Sequence, residues 1–143
     1  MRVGQILKTK GTRIVTIRPR ETVAAAAKLM VTENIGAVVV TDVVHTEGTT
    51  VLGLLSERDI MRALVAGGQD VMRLPVEKVM SKKLISCEPN DDLADVIEKM
   101  DRHAIRHLPV LDEHTLVGVL SVRDVIHSFP TRRFSDLDRK SVV

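Results

Sequence analysis

Sliding the sequence against itself by 70 residues aligns Pro19 with Pro89, Met30 with Met100, Ile35 with Ile105, Val40 with Val110 and Asp42 with Asp112. Beyond Asp42 the offset falls to 65 and pairs Gly53 with Gly118, Ser56 with Ser121, Arg58 with Arg123 and Asp59 with Asp124. The first copy therefore carries five extra residues, in the loop around VVHTEGTT. Such a repeat restricts the fold to two copies of one supersecondary unit, each unable to bury its apolar face alone. With 143 residues and 44% apolar side chains, two such units have enough material to share a core.

Each copy reads as strand, helix, strand, strand, helix. RIVTI and KLISC are the short first strands, closed by the turn prolines Pro19 and Pro89. TVAAAAKLMVTEN and DLADVIEKMDRH are rich in helix formers and open at N-cap candidates Thr22 and Asp91/Asp92. GAVVVTD and HLPVLD follow as strands, with VLGLLS and LVGVLS as their hairpin partners, and the last helices begin at Ser56 and Ser121. The expected class is α/β (α+β), with repeat one over residues 1–65, a Gly- and Pro-containing linker over 66–75 and repeat two over 76–128.

The phrase that recurs most closely is LSERDIMRAL against LSVRDVIHS. Ser-x-x-Asp at a helix start is close to a capping box, and capping alone accounts for Ser56, Asp59, Ser121 and Asp124. It does not account for Arg58 and Arg123. A cation in the first turn opposes the helix dipole by about 0.3–1 kcal/mol, yet arginine recurs there in both copies. An anion reverses that balance: backbone N–H groups, a hydroxyl and a guanidinium together suit a phosphate, and a nearby carboxylate can accept from ribose hydroxyls.

The order of elements, the duplicated Leu-(Leu/Val)-Gly-apolar-Leu-Ser-x-Arg-Asp phrase and the Ile-Arg-His-Leu-Pro-Val string at 105 to 110 resemble a tandem pair of CBS domains, as in small stand-alone bacterial CBS-pair proteins. The resemblance covers about residues 3 to 128. It implies two repeats packed sheet to sheet about a pseudo-two-fold axis, with two clefts that take adenine nucleotides or S-adenosylmethionine, and helix-mediated flat homodimers. It also implies that Asp59 and Asp124 hold ribose, with Ser56, Arg58, Ser121 and Arg123 toward phosphate. Arg106 and His107 match positions where such pairs place basic side chains toward phosphate, although a packed strand histidine is an equal reading of His107. Leu108-Pro109 matches the apolar-x-Pro motif of the adenine side. Gly36 and Ala37 stand in the first copy where the second has Arg106 and His107, and Val39 replaces Pro109, so the two clefts are not equivalent. Thr16 and Ser86 offer further hydroxyls or are ordinary strand residues. The expected function is a regulatory module that senses an adenosyl ligand and changes dimer geometry or partner binding; the alternative is a dimerisation or interaction module that needs no ligand.

Other classes fit less well. Phe129 and Phe134 are the only aromatic side chains, so the stacking platforms of single-strand nucleic-acid binders are missing from the first 128 residues. Lys plus Arg outnumber Asp plus Glu by 21 to 19 in an interspersed pattern that points to neither nucleic acid nor membrane. MRVGQILKTKG lacks a signal-peptide core, and the lone Cys87 in an apolar run reads as a buried thiol, so a cytoplasmic setting is expected. His103, His107 and His114 match no zinc spacing, the methionines read as core or dimer surface, and the sequence contains neither a nucleophile–base pair nor a phosphate loop of the Gly-x-x-x-x-Gly-Lys type, so no metal, obligatory cofactor or catalysis is expected. The stretch FPTRRFSDL at 129 to 137 differs at one position, Phe134, from the translated end of a common sequencing adapter, and 129–143 is read as a suspected non-native tail.

Overall fold

Helix α2 (Val23–Glu33) forms where its residues are good helix formers, and Thr22 caps it by accepting from Ala25 N at 3.1 Å. It is part of a computed structural model that describes residues 1–11, 14–44 and 48–128; the suspected tail at 129–143 lies outside them. Helix α4 (Leu93–His103) is its counterpart in the second repeat. Neither proposed acid caps α4 with its side chain: Asp92 holds the N-cap position without a side-chain bond, and Asp91 instead accepts from Glu88 N at 2.8 Å, closing the preceding turn. Both helices end on a left-handed residue, Asn34 (φ 55°) and Ala104 (φ 52°).

The first repeat carries a three-stranded sheet in the order β1 (Thr16–Ile17), β2 (Ala37–Val44), β3 (Gly48–Ser56), with β1 parallel and β3 antiparallel to β2. The second has only the hairpin β4 (His107–Asp112) and β5 (Thr115–Ser121). Each hairpin strand of the first copy is thus two residues longer than its counterpart in the second, which takes up four of its five extra residues. Both hairpins slip register at the same place, after Val40 and after Val110.

KLISC does not form the expected strand. It contributes a single parallel bridge, Cys87 to Val110, with Cys87 N donating to Pro109 O at 3.0 Å and Leu111 N to Cys87 O at 2.8 Å. The next ladder bond would need an amide hydrogen on residue 109, and proline has none; Val39 keeps that donor in the first repeat. Cys87 itself is 2% exposed, and burial, with the Asp91 carboxylate nearby, pushes its thiol up to about 12.

Helix α1 (Val3–Lys10) opens the first repeat ahead of its first strand, an element the strand–helix–strand–strand–helix reading did not include. Its apolar face, Val3, Ile6 and Leu7, packs into the core of the second repeat, with Leu93, Val96, Met100, Leu108, Val110 and Leu120. At roughly 1.5–3 kcal/mol per buried aliphatic chain, this docking outweighs the weakness of an isolated eight-residue helix. The segment after the linker does the reverse: Val76, Val79 and Met80 pack with Ile17, Val23, Met30, Val38 and Leu55 of the first repeat. The backbone contacts correspond one to one. Val3 N donates to Asp91 O and Gly4 N to Pro89 O, as Val76 N does to Glu21 O and Glu77 N to Pro19 O. The linker is not irregular: α3 (Glu57–Gly67) runs into it, and a 3-10 turn spans Gln69–Arg73.

These crossing segments account for the glycine in the repeated phrase. A Cβ on Gly53 would meet Ser81 O at 2.6 Å, where Leu54 and Ser81 form a bridge, and one on Gly118 would meet Leu7 Cδ2 at 2.9 Å.

Candidate ligand-binding clefts

Strands β2 and β3 end side by side, pairing Ala37 with Ser56, and β4 and β5 likewise pair His107 with Ser121. Each serine then starts a helix, α3 in the first repeat and α5 (Val122–Ser128) in the second. The capping geometry is present in both. Asp59 N donates to Ser56 Oγ at 3.2 Å and Ser56 N to Asp59 Oδ2 at 2.9 Å; Asp124 N donates to Ser121 Oγ at 3.1 Å and Ser121 N to Asp124 Oδ2 at 2.8 Å. Gly36 O accepts from Glu57 N at 3.0 Å, and Arg106 O from Val122 N at 2.9 Å. The fold thus gathers Gly36, Ala37, Ser56 and Asp59 at one motif end, and Arg106, His107, Ser121 and Asp124 at the other.

The side chains of Arg58, Arg106 and Arg123 are exposed, and none of the three guanidinium groups forms a hydrogen bond or ion pair with another described residue. Thr16, exposed on β1, lies opposite Val39. Ser86 is half-buried, its carbonyl accepts from Lys99 Nζ at 2.8 Å, and it sits beside the Cys87 to Pro109 bond. Pro109 and Ala37 are buried and shape the wall behind these groups.

The two motif ends meet. A Cβ on Gly36 would lie 2.5 Å from Glu57 Oε1 and 3.2 Å from Cε1 and Nε2 of His107, so the imidazole of the second repeat fills the space that Gly36 leaves in the first. Burial holds the His107 imidazole below its ordinary value, against the opposing pull of the Glu57 and Asp124 carboxylates; Lys10 and Arg106 add to the lowering.

Lys10, at the end of α1, is a site neighbour that sequence reasoning missed. Its Nζ donates to Asp124 Oδ2 and to Val119 O, both at 2.7 Å. Burial alone would raise the Asp124 carboxyl, but the Lys10 bond, the Ser121 backbone bond and the Lys10 charge hold it below its ordinary value. No periodicity links residues 114 apart, although the match of Val3, Ile6, Leu7 to Val76, Val79, Met80 could have placed α1 in the repeat.

Asp59 also borders an open cleft of about 530 Å³ between α3 and the linker, with Arg62, Ala66, Leu74, Lys78 and Val79 along its walls. Arg62 and Lys78 are further cations near an expected ribose acid that the sequence reading did not single out. Among the described residues no cluster of three or more His, Cys, Asp or Glu is placed to hold a metal ion, and no helix is long and apolar enough to cross a membrane.

Duplicated units of a helix, a hairpin and a second helix, with crossed N-terminal segments and paired motif ends, define a class, and sequence comparison agrees: the chain belongs to the CBS domain family, matched at residues 3–66 and 76–130. It is similar to CBS domain-containing protein YhcV of Bacillus subtilis, 36% identical over 123 residues, which cover 86% of this chain and 84% of that protein. Its fold matches the CBS-domain containing protein ATU1752 of Agrobacterium tumefaciens with a TM-score of 0.83 and 32% identity, over 90% of this chain and 98% of that one. At 22% identity the CBS domain pair of protein MJ0100, solved with 5′-methylthioadenosine and S-adenosyl-L-methionine, shares the fold with a TM-score of 0.77, over 90% of this chain and 95% of that one.

Proposed function

We propose that this CBS pair is a regulatory module that binds an adenosyl ligand, AMP, ADP, ATP or S-adenosylmethionine, at its motif ends and changes dimer geometry or partner binding in response. The observation that carries the reading is the recurrence, in both repeats, of an exposed arginine side chain without a partner among the described residues, Arg58 or Arg123, inside a serine–aspartate capping box. In this reading Asp59 and Asp124 accept from ribose hydroxyls, and Ser56, Arg58, Ser121, Arg123, Arg106 and His107 face phosphate. Gly36, Ala37, Pro109, Thr16 and Ser86 form the surrounding walls. The ligands bound by the CBS pair of MJ0100 support the adenosyl class. The module binds its ligand without transforming it, acts in the cytoplasm and pairs with a second copy through helices. Val31, Met61 and Val65, which are 82%, 66% and 89% exposed on α2 and α3, suit that contact. A ligand shifts such a dimer only by its differential affinity for two arrangements.

Calorimetric titration of the full chain with AMP, ADP, ATP and S-adenosylmethionine tests the reading. Heat of binding is expected with at least one ligand, and Asp59→Ala combined with Asp124→Ala is expected to abolish it. Silence from every ligand at millimolar concentration would leave the second reading, a ligand-independent dimerisation module, which the exposed helix faces favour. Binding untouched by the double substitution would overturn the site assignment.

A further inference from the structure

Lys10 lies in the last turn of α1, where a lysine ordinarily interacts with that helix's own final carbonyls. Its ammonium group goes elsewhere. It crosses to the second repeat and donates to Val119 O and Asp124 Oδ2, which leaves one of its three donors unused by described residues. Asp124 Oδ2 accepts from the Ser121 N–H and the ammonium, and the Ser121 hydroxyl also bears on the carboxylate, whose two oxygens still leave acceptor capacity to spare. A free acceptor on Asp124 and a free donor on Lys10 therefore stand next to each other. A ribose with a phosphate one methylene away offers the complementary pair: hydroxyls for the carboxylate, an anion for the ammonium.

The two repeats place their cations differently: Arg62 and Lys78 line the cleft that Asp59 borders, whereas Lys10 is bonded to Asp124 itself. Arg106, Arg123 and Lys10 accompany Asp124, and Val122 is uncharged. In the first repeat Gly36 and Glu57 stand at the positions of Arg106 and Val122, and the Asp59 carboxylate accepts from Ser56 N without an ion pair to another described residue. A sulfonium brought beside Asp124 would approach the Lys10 ammonium, while a phosphate would be drawn by it.

We infer that Lys10, from the helix that opens the first repeat, is a ligand-binding residue of the second cleft that makes this cleft select phosphorylated adenosyl ligands over uncharged or cationic ones. The inference rests on the adenosyl-binding reading above and names the ligand class for one of its two clefts. Lys10 holds Asp124 oriented before the ligand arrives, then supplies its third donor to the phosphate.

Calorimetric titration of the full chain with AMP and, separately, with adenosine tests it on wild type, Lys10→Met and Lys10→Arg. Lys10→Met is expected to weaken AMP by about tenfold and adenosine by less than about twofold, with Lys10→Arg recovering most of the AMP affinity. A merely structural lysine would change both ligands alike, so equal losses, or no loss for AMP, overturn the role of Lys10 while the adenosyl reading stands. A wild-type chain that binds neither probe overturns the reading and the inference together. Because the pair is partly exposed, Lys10→Met should unfold close to the wild-type temperature, which separates lost contact from lost fold.

Discussion

In the first repeat Glu57 opens α3 beside Gly36; in the second Val122 opens α5 beside Arg106, and His107 rather than alanine precedes the buried strand core. The capping boxes are nearly superimposable in their hydrogen bonds, so the shared frame is local. The differences are complementary across the pseudo-two-fold axis. The His107 ring lies where a side chain on Gly36 would have to go, and two large residues at that pair of positions would collide. Divergence between the copies is in this place a packing requirement, and the two motif ends are lined unequally because of it.

The strongest way to break the comparison is through the glycines of the repeated phrase. Gly53→Ala drives a methyl against the backbone oxygen of Ser81, which cannot yield without opening the bridge to Leu54, and should cost about 2–3 kcal/mol; Gly118→Ala meets the rotatable end of Leu7 and should cost less than about 1 kcal/mol. Urea denaturation of the two variants reads the difference, and equal losses would contradict the crossed packing. Next, Gly36→Ala should destabilise by about 1 kcal/mol, and a double-mutant cycle with His107→Ala should recover at least about 0.5 kcal/mol of that. Additive effects would mean that the ring and the glycine do not share space.

The titration of the second motif end should separate into two windows. His107 is held below its ordinary 6.5, so the unfolded chain binds more protons there, and stability present above that value falls as the pH drops through it. Glu57, Asp124, Lys10 and Arg106 face the same ring and set the size of the effect. Asp124 is also held low, so its contribution is lost only as the pH falls below 3.8. His107→Gln should flatten the upper window and Asp124→Asn the lower, each followed by denaturation midpoint against pH. The smallest effect concerns helix ends: Asn34 tolerates the left-handed conformation that Ala104 adopts at strain, so Ala104→Gly should stabilise by about 0.5–1 kcal/mol in thermal unfolding, while Asn34→Gly changes little.

Much of the fold could be read from the chain because its signals are short-range. Helices α2 and α4, both hairpins and the Ser56 and Ser121 caps depend on residues a few positions apart. The missing strand at KLISC was also within reach, since Pro109 stands where the ladder needs a donor, but only once strand 107–112 is known to be its neighbour. Of the Asp91/Asp92 pair, Asp92 takes the N-cap position, without a side-chain bond, while the turn at Glu88 claims Asp91; either acid suits a helix start, so the sequence left the choice open.

By itself the sequence determined the duplication, the motif, the family resemblance and the inequality of the two ends. Only the tertiary structure decided that α1 serves the second repeat and residues 76–80 the first, that Gly53 and Gly118 are glycines for packing, and that Lys10 reaches Asp124 and His107 fills the gap at Gly36. Those contacts join residues tens of positions apart, and their partners are selected by how two apolar cores close over each other, a choice that no local propensity or spacing encodes.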